Sequence, residues 1–311
     1  MSGTKATSGA SGDYGETGVD GFHYRFDGQP VHREQSPFQL IEIFDNPAFG
    51  RILILDGLVQ TTERDEFCYH EMLVHVPLLI HPEPKSVLII GGGDGGTLRE
   101  VLRHSCVERV LMIEIDQRVT EVCKEFMPSL GANAWNDPRA EVRFDDGIAF
   151  LRDTDEMFDA IIIDSSDPVG PGEGLFTEEF YKTAEQRLEV DGILAAQAGG
   201  VYFHQAELQR AYRSMKAAFP EVCLYMGNVP TYPGTGWSYL LSRADEIPPA
   251  PEVEDRLEMR GITGLRYVSP PLVEACFALP MFVREILSSD DPPHLFGPTP
   301  EEARRQEGRQ G

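Results

Sequence analysis

Four carboxylates recur at one kind of place along this chain. Asp94 sits in the loop after the apolar run SVLII (86–90), and Glu114 lies near the end of RVLMIEID (109–116). Asp146, followed by Gly147, closes EVRFDD (141–146); Asp164 closes FDAIIID (158–164), with Asp167 three residues on. A carboxylate at the end of such a run can accept both hydroxyls of a ribose, hold a cation through charge-assisted hydrogen bonds, or take a proton as a general base. Taken singly, each reads as a helix cap or a solvated loop end. Four after four consecutive runs read as one site. The loop GGGDGG (91–96) adds a constraint. Gly91, Gly92, Gly93 and Gly95 allow a backbone to approach a ligand closely, as a phosphate or nucleoside loop requires. Asp94 in its middle would repel a pyrophosphate or an amino-acid carboxylate and attract an ammonium. The loop therefore fits a nucleoside with a cationic arm.

These residues need a scaffold, and the sequence predicts one. Apolar, β-branched runs at 86–90, 109–116, 141–146, 158–164, 192–197 and 221–226 alternate with helical stretches, the pattern of a mostly parallel sheet covered on both faces. WSYLLS (237–242) is expected to close that sheet. Ahead of it, FHYRF, FQLIEIF and RILILDG, broken by Asp-Gly and Asn-Pro signals, predict antiparallel hairpins. Phe67, Met72, Leu73 and Val76 then fall at helical spacing until Pro77 interrupts. The fold class is α/β, a doubly wound domain over 77–287 preceded by a small β domain and connecting helix over 21–76. Residues 1–20 and 288–311, poor in large apolar groups, are expected to be disordered.

Composition excludes several classes. Of 311 residues, 51 are Asp or Glu and 27 Lys or Arg, a net charge of −24 that leaves no basic surface for nucleic acid. Such a field favours cationic partners. The five cysteines are never in CxxC spacing, which argues against a disulfide framework and a zinc site and for a reducing compartment. Apart from His70, the histidines show no metal-ligand spacing, and Ser165 and Ser166 lie outside a GxSxG elbow. No apolar run reaches the ~18 residues that cross a bilayer, and no secretory signal opens the chain. A cytoplasmic protein without membrane contacts is expected.

The segments LDGLVQTTERDEFCYHEML (55–73), VLIIGGGDGGTLREVLRH (87–104), IEID (113–116), DSSDPVGP (164–171), GLFTEEFY (174–181) and VPTYPGTGW (229–237) resemble the spermidine synthases, the polyamine aminopropyltransferases. The likeness runs in order from about residue 22 to 287. It implies an N-terminal β domain on a methyltransferase-like Rossmann domain, and transfer of the aminopropyl group of decarboxylated S-adenosylmethionine to a diamine, with release of methylthioadenosine. Putrescine leads as acceptor; agmatine, cadaverine and spermidine stay open. By the same resemblance Gln39, Gln60 and Glu114 would line the nucleoside side, with Glu114 on the ribose. Asp146, Gly147 and Pro171 would enclose the adenine. Asp94 and His70 would hold the aminopropyl ammonium, Asp167 would help recognise the polyamine, and Asp164, Tyr69 and Tyr232 would surround the attacking nitrogen.

Three departures stand out. His70 replaces the Gln of animal members, Asp145 replaces a Gly, and AGG follows Gln197 where a Ser/Glu-containing turn is commoner. The last bears on the acceptor end. No cofactor is implied beyond the co-substrate, and a homodimer or homotetramer is expected through the β domain. Two rival readings are a methyltransferase using S-adenosylmethionine itself, which Asp94 opposes, and a non-catalytic polyamine-binding relative, which Asp164, Tyr69 and Tyr232 oppose.

Overall fold

The computed structural model describes residues 7–8, 13–19, 22–166, 170–232, 234, 236–242 and 247–290. The chain begins with β1 (Thr7–Ser8), β2 (Asp13–Val19) and β3 (Phe22–Asp27) in one antiparallel sheet. Two of these strands fall in the stretch expected to be disordered. Pairing uses backbone groups, so a segment short of large apolar side chains can still join a ladder beside FHYRF. A second antiparallel sheet follows, β4 (Gln29–Gln35), β5 (Leu40–Asn46), β6 (Gly50–Leu55) and β7 (Leu58–Thr62), in that order. Its turns use the signals read above. Asn46 Oδ1 accepts the amides of Ala48 and Phe49, and Asp56 and Gly57 take φ of 47° and 83°, as a tight hairpin turn requires.

The helix α1 (Glu66–Ile80) runs through Pro77, contrary to the expectation that it would stop there and divide the domains. Thirteen of its fifteen residues are buried, so packing on every side outweighs one lost hydrogen bond. Arg256 and Arg260 close its far end. They donate to the carbonyls of Leu78, Leu79, Ile80, His81 and Pro82, which the helix terminus leaves unpaired.

Alternating strands and helices then follow: β8 (Ser86–Gly91), α2 (Gly96–Leu102), β9 (Arg109–Glu114), α3 (Gln117–Phe126), α4 (Pro128–Gly131), β10 (Ala140–Phe144), α5 (Gly147–Asp153) and β11 (Phe158–Asp164). The second half comprises α6 (Glu178–Glu185), β12 (Leu188–Gly200), α7 (Gln205–Ala218), β13 (Val222–Asn228), β14 (Gly236–Ser242), α8 (Ala250–Met259), α9 (Pro270–Ala275) and α10 (Met281–Ser288). Seven strands form one sheet in the order β10-β9-β8-β11-β12-β14-β13, with the first five parallel. WSYLLS does not close the edge. The short link from β13 makes an antiparallel hairpin, and β14 inserts between β12 and β13. Along β8, Val87 and Ile89 join the core under α1 and α2, while Leu88 and Ile90 join the opposite core under α6 and α7. This strict alternation buries both faces. A third cluster joins Ile41, Ile43 and Leu53 of the β4–β7 sheet to Val119, Val122 and Leu130, bringing that sheet over the strand ends.

Candidate functional site

Because β8 lies between β9 and β11, the order of the carboxylates in space differs from their order in sequence. Across the carboxyl rim run Asp146 after β10, Glu114 on β9, Asp94 after β8, Asp164 on β11 and Gln197 on β12. All five line one cavity, which the β4–β7 sheet closes with Gln39 and Gln60 and which α1 and the β13–β14 turn close with Tyr69 and Tyr232. This is the crevice outside the strand ends where ligands of such sheets bind.

Asp164 stands between two hydroxyls. Tyr69 Oη donates to its Oδ1 at 2.7 Å and Thr97 Oγ1 to its Oδ2 at 2.7 Å. Burial raises its pKa, the negative charge of Asp94 adds to that, and the His70 ring and the two hydroxyls offset only part. A carboxylate that holds a proton more readily, braced by neutral donors, is suited to general-base work. Tyr69 itself is pushed well above the phenol range by burial and by Asp164, so it stays a hydroxyl. The Tyr232 hydroxyl donates to the Gln60 carbonyl, not toward Asp164. Its ring packs at a 52° tilt against Trp237, 4.3 Å between centroids, and meets Tyr69 edge-on at 6.0 Å.

Asp94 has other company. Its Oδ1 accepts the Gly96 amide at 2.7 Å, and its Oδ2 lies 3.4 Å from His70 Nε2. Burial works to raise its pKa, but the His70 ring and the Gly96 amide overcome it and the net shift is downward. His70 is 1 % exposed and does not line the cavity; it stands behind Asp94. The glycines of the loop serve this packing. A Cβ at Gly96 would come within 2.2 Å of the His70 ring, and one at Gly91, where φ is +84°, within 2.1 Å of the Asp164 carbonyl oxygen. Besides facing the cavity, the loop glycines let α1 and β11 approach.

At the other end, burial lifts Glu114 to about 7, with the Asp116 and Asp164 charges adding to it against the amides of Asp116 and Gly93. Gln39 Nε2 is held by Asp116 Oδ2 at 3.1 Å, and Gln60 Nε2 by the Leu58 carbonyl. Asp146 caps α5, its Oδ1 accepting from Ile148 and Ala149, so its reading as a helix cap is also realised. Gln197 bridges strand ends, donating to the Ser165 and Ser166 carbonyls and accepting from the Gly199 amide.

Gly91, Gly92, Gly93 and Gly147 line the cavity, whereas Gly95 packs under the Trp135 ring. Asp167 and the Pro171 side chain lie outside the described residues. Sequence reasoning did not single out Thr97 or Trp237, which long-range folding brings in. Glu66 was also passed over, although its i,i+4 spacing from His70 was a usable signal. Among the described residues no group of three or more His, Cys, Asp or Glu is arranged to hold a metal ion, and no helix is long and apolar enough to cross a membrane.

Two family models match. Residues 28–63 match the spermidine synthase tetramerisation domain and residues 66–250 the spermine/spermidine synthase domain. The polyamine aminopropyltransferase of Moorella thermoacetica is 42 % identical over 263 residues, 85 % of this chain and 91 % of that one. That of Caldicellulosiruptor bescii is 44 % identical over 257 residues, 83 % and 91 % of the two chains. A crystal structure of spermidine synthase in complex with the transition state analogue AdoDATO superposes with a TM-score of 0.81 at 40 % identity, covering 86 % of this chain and 92 % of that one. Spermidine synthase from Thermotoga maritima gives 0.76 at 39 %, covering 86 % and 89 %. With both domains matched in order and the acid-lined crevice at their junction, the chain belongs to the spermine/spermidine synthase family and is an enzyme of the polyamine aminopropyltransferase type.

Proposed function

We propose that this enzyme transfers the aminopropyl group of decarboxylated S-adenosylmethionine to putrescine, giving spermidine and methylthioadenosine. The observation that carries this reading is the pair Asp94 and Asp164: a carboxylate kept ionised beside the loop, and a carboxylate of raised proton affinity on the next strand. The first suits the ammonium of the aminopropyl arm, the second an amine that must lose a proton before it can attack.

In the proposed step the acceptor nitrogen attacks the carbon beside the sulfonium. The new C–N bond forms as the C–S bond breaks, and its electron pair stays on sulfur as the thioether. The acceptor ammonium passes one proton to Asp164 before attack, and the product nitrogen leaves as a secondary ammonium. The Tyr69 and Tyr232 oxygens, whose own protons are already donated to Asp164 and Gln60, have lone pairs left to accept amine N–H groups. Holding the amine in line and taking its proton are the two effects asked of the site. Glu114 would take the ribose hydroxyls, Gln39 and Gln60 would flank the nucleoside, and Asp146 with Gly147 would face the adenine. Match to a tetramerisation domain supports assembly into a homotetramer through the β4–β7 region.

Product analysis with decarboxylated S-adenosylmethionine and, in turn, putrescine, agmatine, cadaverine and spermidine tests the reading. Spermidine and methylthioadenosine in equal amounts, with putrescine preferred, are expected. Preference for another amine would overturn the acceptor; formation of S-adenosylhomocysteine from S-adenosylmethionine would overturn the reaction.

A further inference from the structure

Behind Asp94 lies a chain of alternating charges that the reaction as written does not use. His70 Nδ1 is 2.7 Å from Glu66 Oε2, one turn back on α1, while its Nε2 faces Asp94. The same Glu66 oxygen accepts Arg99 Nη2 at 2.8 Å. Arg99 is in turn fixed by the Leu130 carbonyl at 2.6 Å and by Glu100 Oε1 at 2.8 Å. An ionised carboxylate can only accept, so the proton between Glu66 and His70 is on Nδ1. The ring is thus held between two carboxylates. Of the remaining charged or titratable groups facing it, Asp164 on β11 adds a third negative charge, Arg99 on α2 opposes, and Tyr69 is a neutral hydroxyl meeting the ring edge-on at 5.3 Å.

We propose that Glu66, backed by Arg99, is a positioning residue for the donor end of the site: it keeps His70 charged against Asp94 in the free enzyme, so that a cationic arm binding at Asp94 displaces one proton from the ring. The proposal rests on the donor assigned above. The exchange keeps the net charge of the site constant: one positive charge leaves the ring as the ligand ammonium brings one in, while Asp94, Glu66, Asp164, Glu100 and Arg99 keep theirs. The displaced Nε2 proton goes to solvent, and the neutral ring keeps its Nδ1 proton on Glu66. Burial disfavours the imidazolium, but the two carboxylates raise the ring well above its ordinary pKa, as the empty-site state requires.

The test is calorimetric titration at pH 8 in two buffers of different ionisation enthalpy, which counts protons released on binding. Decarboxylated S-adenosylmethionine is compared with methylthioadenosine; both carry the same ribose, so any proton from Glu114 cancels in the difference. The donor is expected to release roughly one proton more than methylthioadenosine. In His70→Gln the excess should vanish. In Glu66→Gln, which keeps an acceptor for Nδ1–H, the excess should fall while methylthioadenosine binds as before. No excess in the wild-type enzyme, an excess that survives His70→Gln, or equal loss of both ligands in Glu66→Gln would each overturn the proposal. Failure of either ligand to bind the wild-type enzyme would instead remove the donor assignment, and the proposal with it.

Discussion

Asp94 and Asp164 are the same residue type at the ends of neighbouring strands, and the fold tunes them in opposite directions. Asp164 is braced by two hydroxyls, neutral groups that leave burial and the Asp94 charge in control. Asp94 is braced by an amide and by the His70 ring, which together overcome burial. One carboxylate is thereby suited to take a proton and the other to remain an anion. Burial pushes both carboxyls the same way, so the difference between their roles is set by the charge of their neighbours. The contrast also shows that the two are linked, since the permanent charge on Asp94 is part of what makes Asp164 basic.

The comparison is broken most severely by Asp164→Asn, which should lower kcat at least roughly a hundredfold, the usual scale for a general base. Binding of methylthioadenosine should hold; near-normal turnover would assign the base elsewhere. Next in size is Asp94→Asn. Loss of a charge-assisted hydrogen bond should weaken the decarboxylated donor by roughly ten- to a hundredfold and leave methylthioadenosine unaffected. Because its charge holds Asp164 up, the acid limb of the kcat/KM profile should also move to lower pH. A limb that stays in place would show that the two carboxylates are independent.

A third measurement compares this pair with Glu114. In the proposed ribose contact the hydroxyls would donate to the ionised carboxylate, and burial lifts Glu114 to about 7. Affinity for methylthioadenosine should therefore be level above that pH and fall below it, by up to about tenfold per unit. Glu114→Gln should bind more weakly and flatten the profile. The smallest effect is expected from Thr97→Val, which removes one hydroxyl from Asp164 while nearly keeping shape. Asp164 should then hold its proton more tightly, moving the acid limb upward in pH, with activity on the plateau changed only a few-fold. An unchanged profile would mean that the 2.7 Å contact does not tune the base.

What the sequence determined by itself was local. Strand β11 coincides with FDAIIID, and the strands ending in Gly91 and Glu114 were legible because a strand buried on both faces must be apolar along its whole length. Asp94, Glu114 and Asp164 could be found for the same reason, as the first polar residues after such runs, whereas Asp146 follows the charged strand β10 and was found by its place in the series. Elements whose stability comes from elsewhere were not legible. Pro77 would end an exposed helix, but α1 is buried on all sides and capped by Arg256 and Arg260 from almost two hundred residues away. Placement of β14 between β12 and β13 depends on which strand edge is free, a property of the assembled sheet. Tertiary structure alone decided what each acid does. The order Asp146, Glu114, Asp94, Asp164 follows from strand pairing, and the opposite tuning of the last two follows from Tyr69, Thr97 and His70 arriving from other elements. Charge interactions act through space over roughly 10 Å, so no spacing along the chain could have announced them.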